Sequence, residues 1–282
     1  IMIPRAQASA IRINEVLEME PEIIDPKVTK LADKKSGYVD FKDVTFSYPG
    51  ADQPAISNIT FSARPGETTA IIGGTGSGKS TLINLIPRFY DATSGKILVD
   101  GVDVREMSQE SLRSKIGFVP QNTVLFTGTI AENIKYGKDN ATTEEIQHAA
   151  TVAQATDFIN GMKEGYDHPI AQGGTNVSGG QKQRLSIARA LVRQPEIYIF
   201  DDSFSALDFK TDAKLRAALK KETSKSTVII IAQRVATVMD ADRIIVIDDG
   251  IIAGMGTHKE LLTSCKIYHE IVSSQLSEEE LS

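Results

Sequence analysis

The chain has a single cysteine, Cys265, among its 282 residues, which excludes an internal disulfide framework and fits a reducing compartment. It has no long hydrophobic run. The longest apolar stretches, such as Val228-Ile229-Ile230-Ile231-Ala232, fall far short of the roughly 20 residues needed to cross a bilayer as a helix. It has no excess of basic charge. The net charge is -6 and no basic run stands above the acidic background, so a general nucleic-acid partner is not expected. No signal peptide is visible and the first residue is not Met, so the expectation is a soluble fragment of a longer protein. The hydrophobic content of 41% is ample for a buried core in one large or two small domains.

Periodicity divides the chain. Residues 1–22 have a helical rhythm, with Ala10, Ile13 and Leu17 on one face and Val16 beside them, until Pro21 stops it. A lysine-rich connector follows from Asp25 to Gly37, with Pro26 near its start. Val39 and Phe41 then share one strand phase, and Val44, Phe46 and Tyr48 another, which predicts a bulge near Lys42-Asp43. Ile59 to Ala63 and Lys96 to Val99 are further strands, and together these predict an antiparallel β portion beside the core. The core itself is α/β. Thr68 to Ile72 leads into a glycine-rich turn and a helix from about Lys79, while Ile197–Asp201, Thr227–Ala232 and Arg243–Asp248 are continuous apolar runs suited to buried parallel strands. The stretch 122–178 differs: Thr143 to Ile159 reads as helix, no comparable strand occurs, and an inserted helical subdomain is expected.

Gly73-Gly74-Thr75-Gly76-Ser77-Gly78-Lys79-Ser80, followed by Thr81, matches G-x-x-x-x-G-K-[ST] between a strand and a helix. Glycines let the backbone curl so that successive N–H groups face phosphate oxygens, and the helix N-terminus adds partial positive charge. Lys79 is placed to reach the β and γ phosphates, and the Ser80 hydroxyl to ligate Mg²⁺. This predicts a P-loop NTPase with a RecA-like core. The motif alone fixes phosphate binding, because many unrelated ATPases, GTPases and kinases share it.

Further elements narrow the choice. Ser178-Gly179-Gly180-Gln181, preceded by Val177, opens a helix in which Leu185, Ala188 and Leu191 recur at helical spacing. Gln121 follows the strand-like Ile116 to Val119 and Pro120; Tyr48 lies in Phe46-Ser47-Tyr48-Pro49-Gly50; Ser205-Ala206-Leu207-Asp208 follows Asp201-Asp202. On these residues the whole chain resembles the nucleotide-binding domain of an ABC exporter. Thr127 to Ile134 and the opening Ala8 to Leu17 also resemble exporter sequence. The resemblance implies residues 1–36 as a linker from the last helix of a transmembrane domain fused upstream of residue 1. Residues 37–282 are then the nucleotide-binding domain, with a helical subdomain at about 122–178 and C-terminal helices at about 258–282. It implies ATP and Mg²⁺ as ligands and a place at the cytoplasmic face of the cell membrane. Ser178 to Gln181 becomes the signature that meets a neighbouring domain's γ-phosphate, and Ser205 to Asp208 the D-loop of the interface between domains. Gln121 becomes the Q-loop residue that contacts Mg²⁺ or water, and Asp201 the Walker B ligand of Mg²⁺. Tyr48 becomes the adenine-stacking aromatic, with a purely structural tyrosine as the competing reading.

Two positions depart from the family pattern. Where a glutamate polarises the attacking water the chain has Asp202, with its carboxylate one methylene closer to the backbone. Where a histidine contacts the γ-phosphate it has Gln233, and none of its four histidines lies in a motif that replaces it. Glutamine can hydrogen-bond a phosphate oxygen but carries no charge and relays no proton. Gln172, where exporters often have an acidic residue, is a softer departure. The family holds each ATP between the phosphate loop of one domain and the signature of the other. The pattern therefore implies the degenerate half of a heterodimeric multidrug-type exporter, whose intact signature completes a non-identical partner's site. Two alternatives stay open: an active ATPase of a homodimeric exporter, and a soluble, non-transport ABC ATPase.

Overall fold

A computed structural model describes residues 2–32 and 36–275. The first helix, α1 (Met2–Leu17), ends before Pro21. Ile11, Ile13, Val16 and Leu17 are all exposed, so its apolar face has no cover among the described residues. Side-chain and main-chain bonds then tie the connector to the body. Gln109 donates its N–H to Asp25 Oδ1 at 2.9 Å, Lys30 pairs with Glu106 at 2.8 Å, and the Gly37 carbonyl accepts from Thr227 Oγ1 at 2.6 Å.

The antiparallel sheet contains β1 (Val39–Phe46) and β2 (Ile56–Ala63), and further along the chain β4 (Ser94–Val99) and β5 (Val102–Asp103), in the order β2-β1-β4-β5. The expected bulge is present. The β1–β2 register shifts between Phe41 and Val44, and Asp43 has φ 50°, a left-handed conformation that Asp tolerates better than most residues. Tyr48 does not continue the phase of Phe46. The strand stops at Phe46 and the turn through Pro49 and Gly50 leaves Tyr48 outside it, 37% exposed.

The central sheet is built from β3 (Thr68–Ile72), β6 (Ile116–Val119), β9 (Ile197–Asp201), β10 (Thr227–Ile231), β11 (Arg243–Asp248) and β12 (Ile251–Gly256). Its order is β12-β11-β3-β10-β9-β6, all parallel except the β11–β12 pair. Alternate residues serve different cores, as the period of two requires. Ile72, Phe200, Ile230 and Val246 join the core on the helical side, whereas Ile71, Ile199, Ile229 and Ile247 join the one shared with the antiparallel sheet. Both faces are covered, which explains the continuous apolar runs.

The inserted region holds α4 (Ile130–Lys135), α5 (Thr143–Val152) and α6 (Thr156–Asn160), and the helix α7 (Gly179–Leu191) packs on α4 and α5. The single helix expected from Thr143 to Ile159 is two. Gln154 turns into a left-handed conformation (φ 56°), and the break lets Ile146 and Ile159 both enter the same core. A short two-stranded pair, β7 (Gly128–Thr129) with β8 (Pro169–Ile170), also lies within this region. The remaining helices are α2 (Lys79–Asn84), α3 (Gln109–Ser114), α8 (Phe209–Glu222), α9 (Val235–Val238), α10 (His258–Ser264) and α11 (Lys266–Gln275); of the C-terminal helices expected over 258–282, residues 276–282 lie outside the described residues.

Candidate nucleotide site

Parallel strands of an open α/β sheet carry ligands at their C-terminal ends. Here Ile72, Val119, Asp201 and Ile231 end four of them at one edge, because Ile231 pairs in register with both Ile71 and Asp201, and Val119 with Phe200. The loops that leave this edge enclose a cleft of ≈ 350 Å³. Gly73, Gly74, Thr75, Gly76, Lys79 and Ser80 line it, together with Gln121, Asp201, Asp202 and Gln233. Residues separated by more than a hundred positions in sequence thus meet in one wall.

The loop 73–78 needs its glycines for different reasons. Gly78 has φ 99°, and a Cβ there would lie 2.7 Å from both the Ala55 carbonyl oxygen and Ile56 Cγ2, so this position admits only glycine. Gly76 has φ 82° but open space around it. Lys79 folds back over the loop, donating to the Gly73 and Gly74 carbonyls at 3.0 and 2.6 Å and to Ser77 Oγ at 3.4 Å. Burial lowers its pKa, against the opposing pull of Asp201 and Asp202. Thr81, one turn into α2, is buried, and its hydroxyl meets the Tyr48 hydroxyl at 3.0 Å. Tyr48 stands edge-on to Phe46 and Tyr90, and it does not line the cleft.

Ser80 Oγ donates to Asp201 Oδ1 at 3.2 Å. Burial raises the Asp201 pKa, helped by the neighbouring Asp202 charge, while Ser80 and Lys79 oppose it. A buried carboxylate short of positive compensation, beside a serine hydroxyl and the Gln121 amide, is a set of hard oxygen donors that fits Mg²⁺. Because the folded-state pKa is raised, ionised Asp201 destabilises the fold at neutral pH, and the cost disappears as pH falls through that pKa. Asp201→Asn is therefore expected to raise the Tm of the ligand-free chain by a few degrees, about 2–4 °C per kcal/mol, at pH 7.5. The gain should shrink in acid, and Mg²⁺ should no longer add stability. Calorimetry across pH, with and without Mg²⁺, checks both.

Asp202 is buried with φ 47°. Its pKa is raised by burial, against the pull of Ser205, Gln121 and Arg234. Gln233 Nε2 donates to Asp202 Oδ2 at 2.9 Å. The two residues that depart from the family pattern are thus in direct contact. Ser178 caps α7, accepting the Gln181 N–H at 3.3 Å, while Gln181 Oε1 accepts the Ser178 N–H at 2.8 Å. Ser178, Gly179, Gly180 and Gln181 line no part of the cleft. Gly179 and Gly180 sit instead against Ala206, and Gly180 also against Leu207. A Cβ on Gly180 would come within 3.1 Å of the Ala206 carbonyl oxygen, and the Ala206 N–H donates to Gln183 Oε1 at 3.2 Å. Motif reading missed the far wall of the cleft, where Ile271, Ser274 and Gln275 of α11 close in. Nothing in their local sequence marks them, since only the fold brings them there.

A phosphate loop at the head of a buried parallel strand, with an acidic strand end beside it, defines a P-loop nucleotide-binding domain. Residues 56–205 match the ABC transporter family, and the chain belongs to it. It is 48% identical over 279 residues to an ABC transporter ATP-binding protein of Bacillus subtilis strain 168, with 99% of this chain and 48% of that protein covered. It is 41% identical over 275 residues to the ATP-dependent lipid A-core flippase of Escherichia coli K12, covering 97% of this chain and 47% of the flippase. A bacterial Atm1-family ABC exporter with ATP bound superposes with a TM-score of 0.91 at 36% identity, over 98% of this chain and 48% of the exporter. The chain is thus an exporter-type ATP-binding domain spanning about half the length of these relatives.

Proposed function

We propose that this chain is the degenerate ATP-binding half of a heterodimeric ABC exporter. Its cleft holds ATP and Mg²⁺ and hydrolyses slowly, while Ser178 to Gln181 complete the competent site of a non-identical partner domain. A transmembrane domain precedes residue 1, and the domain works at the cytoplasmic face of the membrane. Tyr48 stacks on adenine, Gly73 to Thr81 cradle the phosphates, and Ser80, Gln121 and Asp201 surround the metal.

The observation that supports this reading best is the contact between Asp202 and Gln233 at 2.9 Å. The shortened carboxylate is held by a neutral amide in place of a group that carries charge or relays protons. A misplacement of about 1 Å at the base costs on the order of a hundredfold in rate. The test is the ATPase rate of the assembled transporter. Changing the partner's Walker B glutamate to glutamine should abolish it, whereas Asp202→Asn should alter it less than about twofold, there being little catalysis at this base to lose. If Asp202→Asn silences the complex, the degenerate-half reading is wrong.

Asp202 does line the cleft, which favours one second reading: a homodimer in which Asp202 is the working base. That reading requires ATPase activity from this chain alone, rising more steeply than linearly with its concentration.

A further inference from the structure

The end of α11 forms a wall of the nucleotide cleft, and one of its side chains is bonded to the loop that carries Gln233. Gln275 Oε1 accepts the Val235 N–H at 2.8 Å, and Gln275 Nε2 donates to the Gln233 carbonyl at 2.8 Å. Val235 begins α9, so its N–H has no partner within that helix, and Arg234 at the N-cap offers no side-chain bond. Gln275 supplies the missing acceptor from 40 residues away. The helix that carries it is anchored by the buried side chains of Tyr268 and Val272.

Between the two clamped main-chain groups lie the side chains that reach the other loops of the site. Gln233 Nε2 donates to Asp202 Oδ2, and Arg234 Nη2 donates to the Ser205 carbonyl at 3.0 Å. Ser205 Oγ in turn donates to the Asp202 carbonyl at 2.9 Å. The Walker B end, the D-loop and the sensor loop therefore form one network, and the carboxamide of Gln275 is its connection to the C-terminal helix.

We infer that Gln275 is a positioning residue for this cleft: it fixes the 233–235 loop so that Gln233 meets Asp202 and Arg234 meets Ser205. The inference rests on the reading of the cleft as an ATP site. Gln275 acts through Gln233 and Arg234.

The experiment uses the full-length protein with its partner. Gln275→Met keeps the length of the side chain and its helix propensity but removes both hydrogen bonds. Hydrogen–deuterium exchange at the Val235 amide should accelerate on the order of tenfold, the factor that corresponds to ~1.4 kcal/mol of lost bonding. Release of labelled nucleotide leaving as intact ATP, which reports this slow site, should accelerate by a similar factor. Gln275→Glu keeps the acceptor for Val235 but sets an ionised carboxylate against the Gln233 carbonyl, so Val235 should regain protection while ATP release stays fast. In a Gln233→Ala background, Gln275→Met should change release by less than it does alone, because part of its effect runs through the Gln233 side chain and the rest through Arg234. Unchanged Val235 exchange in Gln275→Met overturns the inference, as does full additivity with Gln233→Ala. Were the unmodified complex to retain no ATP at this cleft, the ATP reading would fail by itself, and the Val235 exchange would still decide whether Gln275 holds the loop.

Discussion

Replacing Asp202 by glutamate and Gln233 by histidine together is expected to raise ATP hydrolysis at this chain's own cleft on the order of a hundredfold. Glutamate returns the missing methylene to the base. Histidine returns a group that can carry charge beside the γ-phosphate. Either change alone should give far less. With Gln233 retained, the longer carboxylate still meets a neutral amide; with Asp202 retained, histidine assists a base that remains short. The backbone sets a cost on the change: Asp202 has φ 47°, a left-handed conformation that aspartate tolerates better than glutamate, so the double variant should lose some stability while it gains rate. The rate should be measured in a complex whose partner carries glutamine at its Walker B glutamate, so that only this cleft contributes. A double variant no faster than that background would place the impairment outside these two residues and remove the main support for a division of labour.

Lys79→Ala should have the second large effect, weakening ATP binding at this cleft on the order of a hundredfold. The ammonium is held by the Gly73 and Gly74 carbonyls at the mouth of the phosphate loop. Hydrogen bonds to a charged group contribute roughly 1.5–3 kcal/mol each, and every 1.4 kcal/mol is tenfold in affinity. Titration of the variant with ATP and Mg²⁺, followed by calorimetry, reads the loss. Lys79→Arg should rescue little, since a planar fork does not replace a compact point charge on a four-carbon stem. An affinity within threefold of the unmodified chain would mean that phosphate is not bound at Lys79.

Much of the architecture was legible in sequence because its signals are local. Thr68 to Ile72 and Ile197 to Asp201 read as buried strands since both faces of the central sheet are covered, and the bulge at Asp43 showed as a phase change between Phe41 and Val44. The phosphate loop was legible because glycine spacing and the Lys79-Ser80 pair are themselves local chemistry. What escaped depends on partners distant in sequence. Helix periodicity ran through Gln154, because the reason for the break is where Ile146 and Ile159 must both go. Tyr48 kept the strand phase on paper, yet the turn at Pro49 and Gly50 ends the pairing before it. Asp202 and Gln233 were each recognised as departures, but their contact spans 31 residues and needed the register of β9 against β10.

The start of α7 is seated on the segment Ser205 to Asp208. The Gly180 backbone lies too close to the Ala206 carbonyl for any side chain to pass between them without a shift, and Gln183 locks the Ala206 amide. The start of α7 and the segment after Asp202 are thus joined at two points, and Ser205 Oγ, which donates to the Asp202 carbonyl at 2.9 Å, ties that segment in turn to the acidic end of β9. On the proposed reading, a partner domain that docked on Ser178 to Gln181 would bear on the same segment that borders this chain's own cleft.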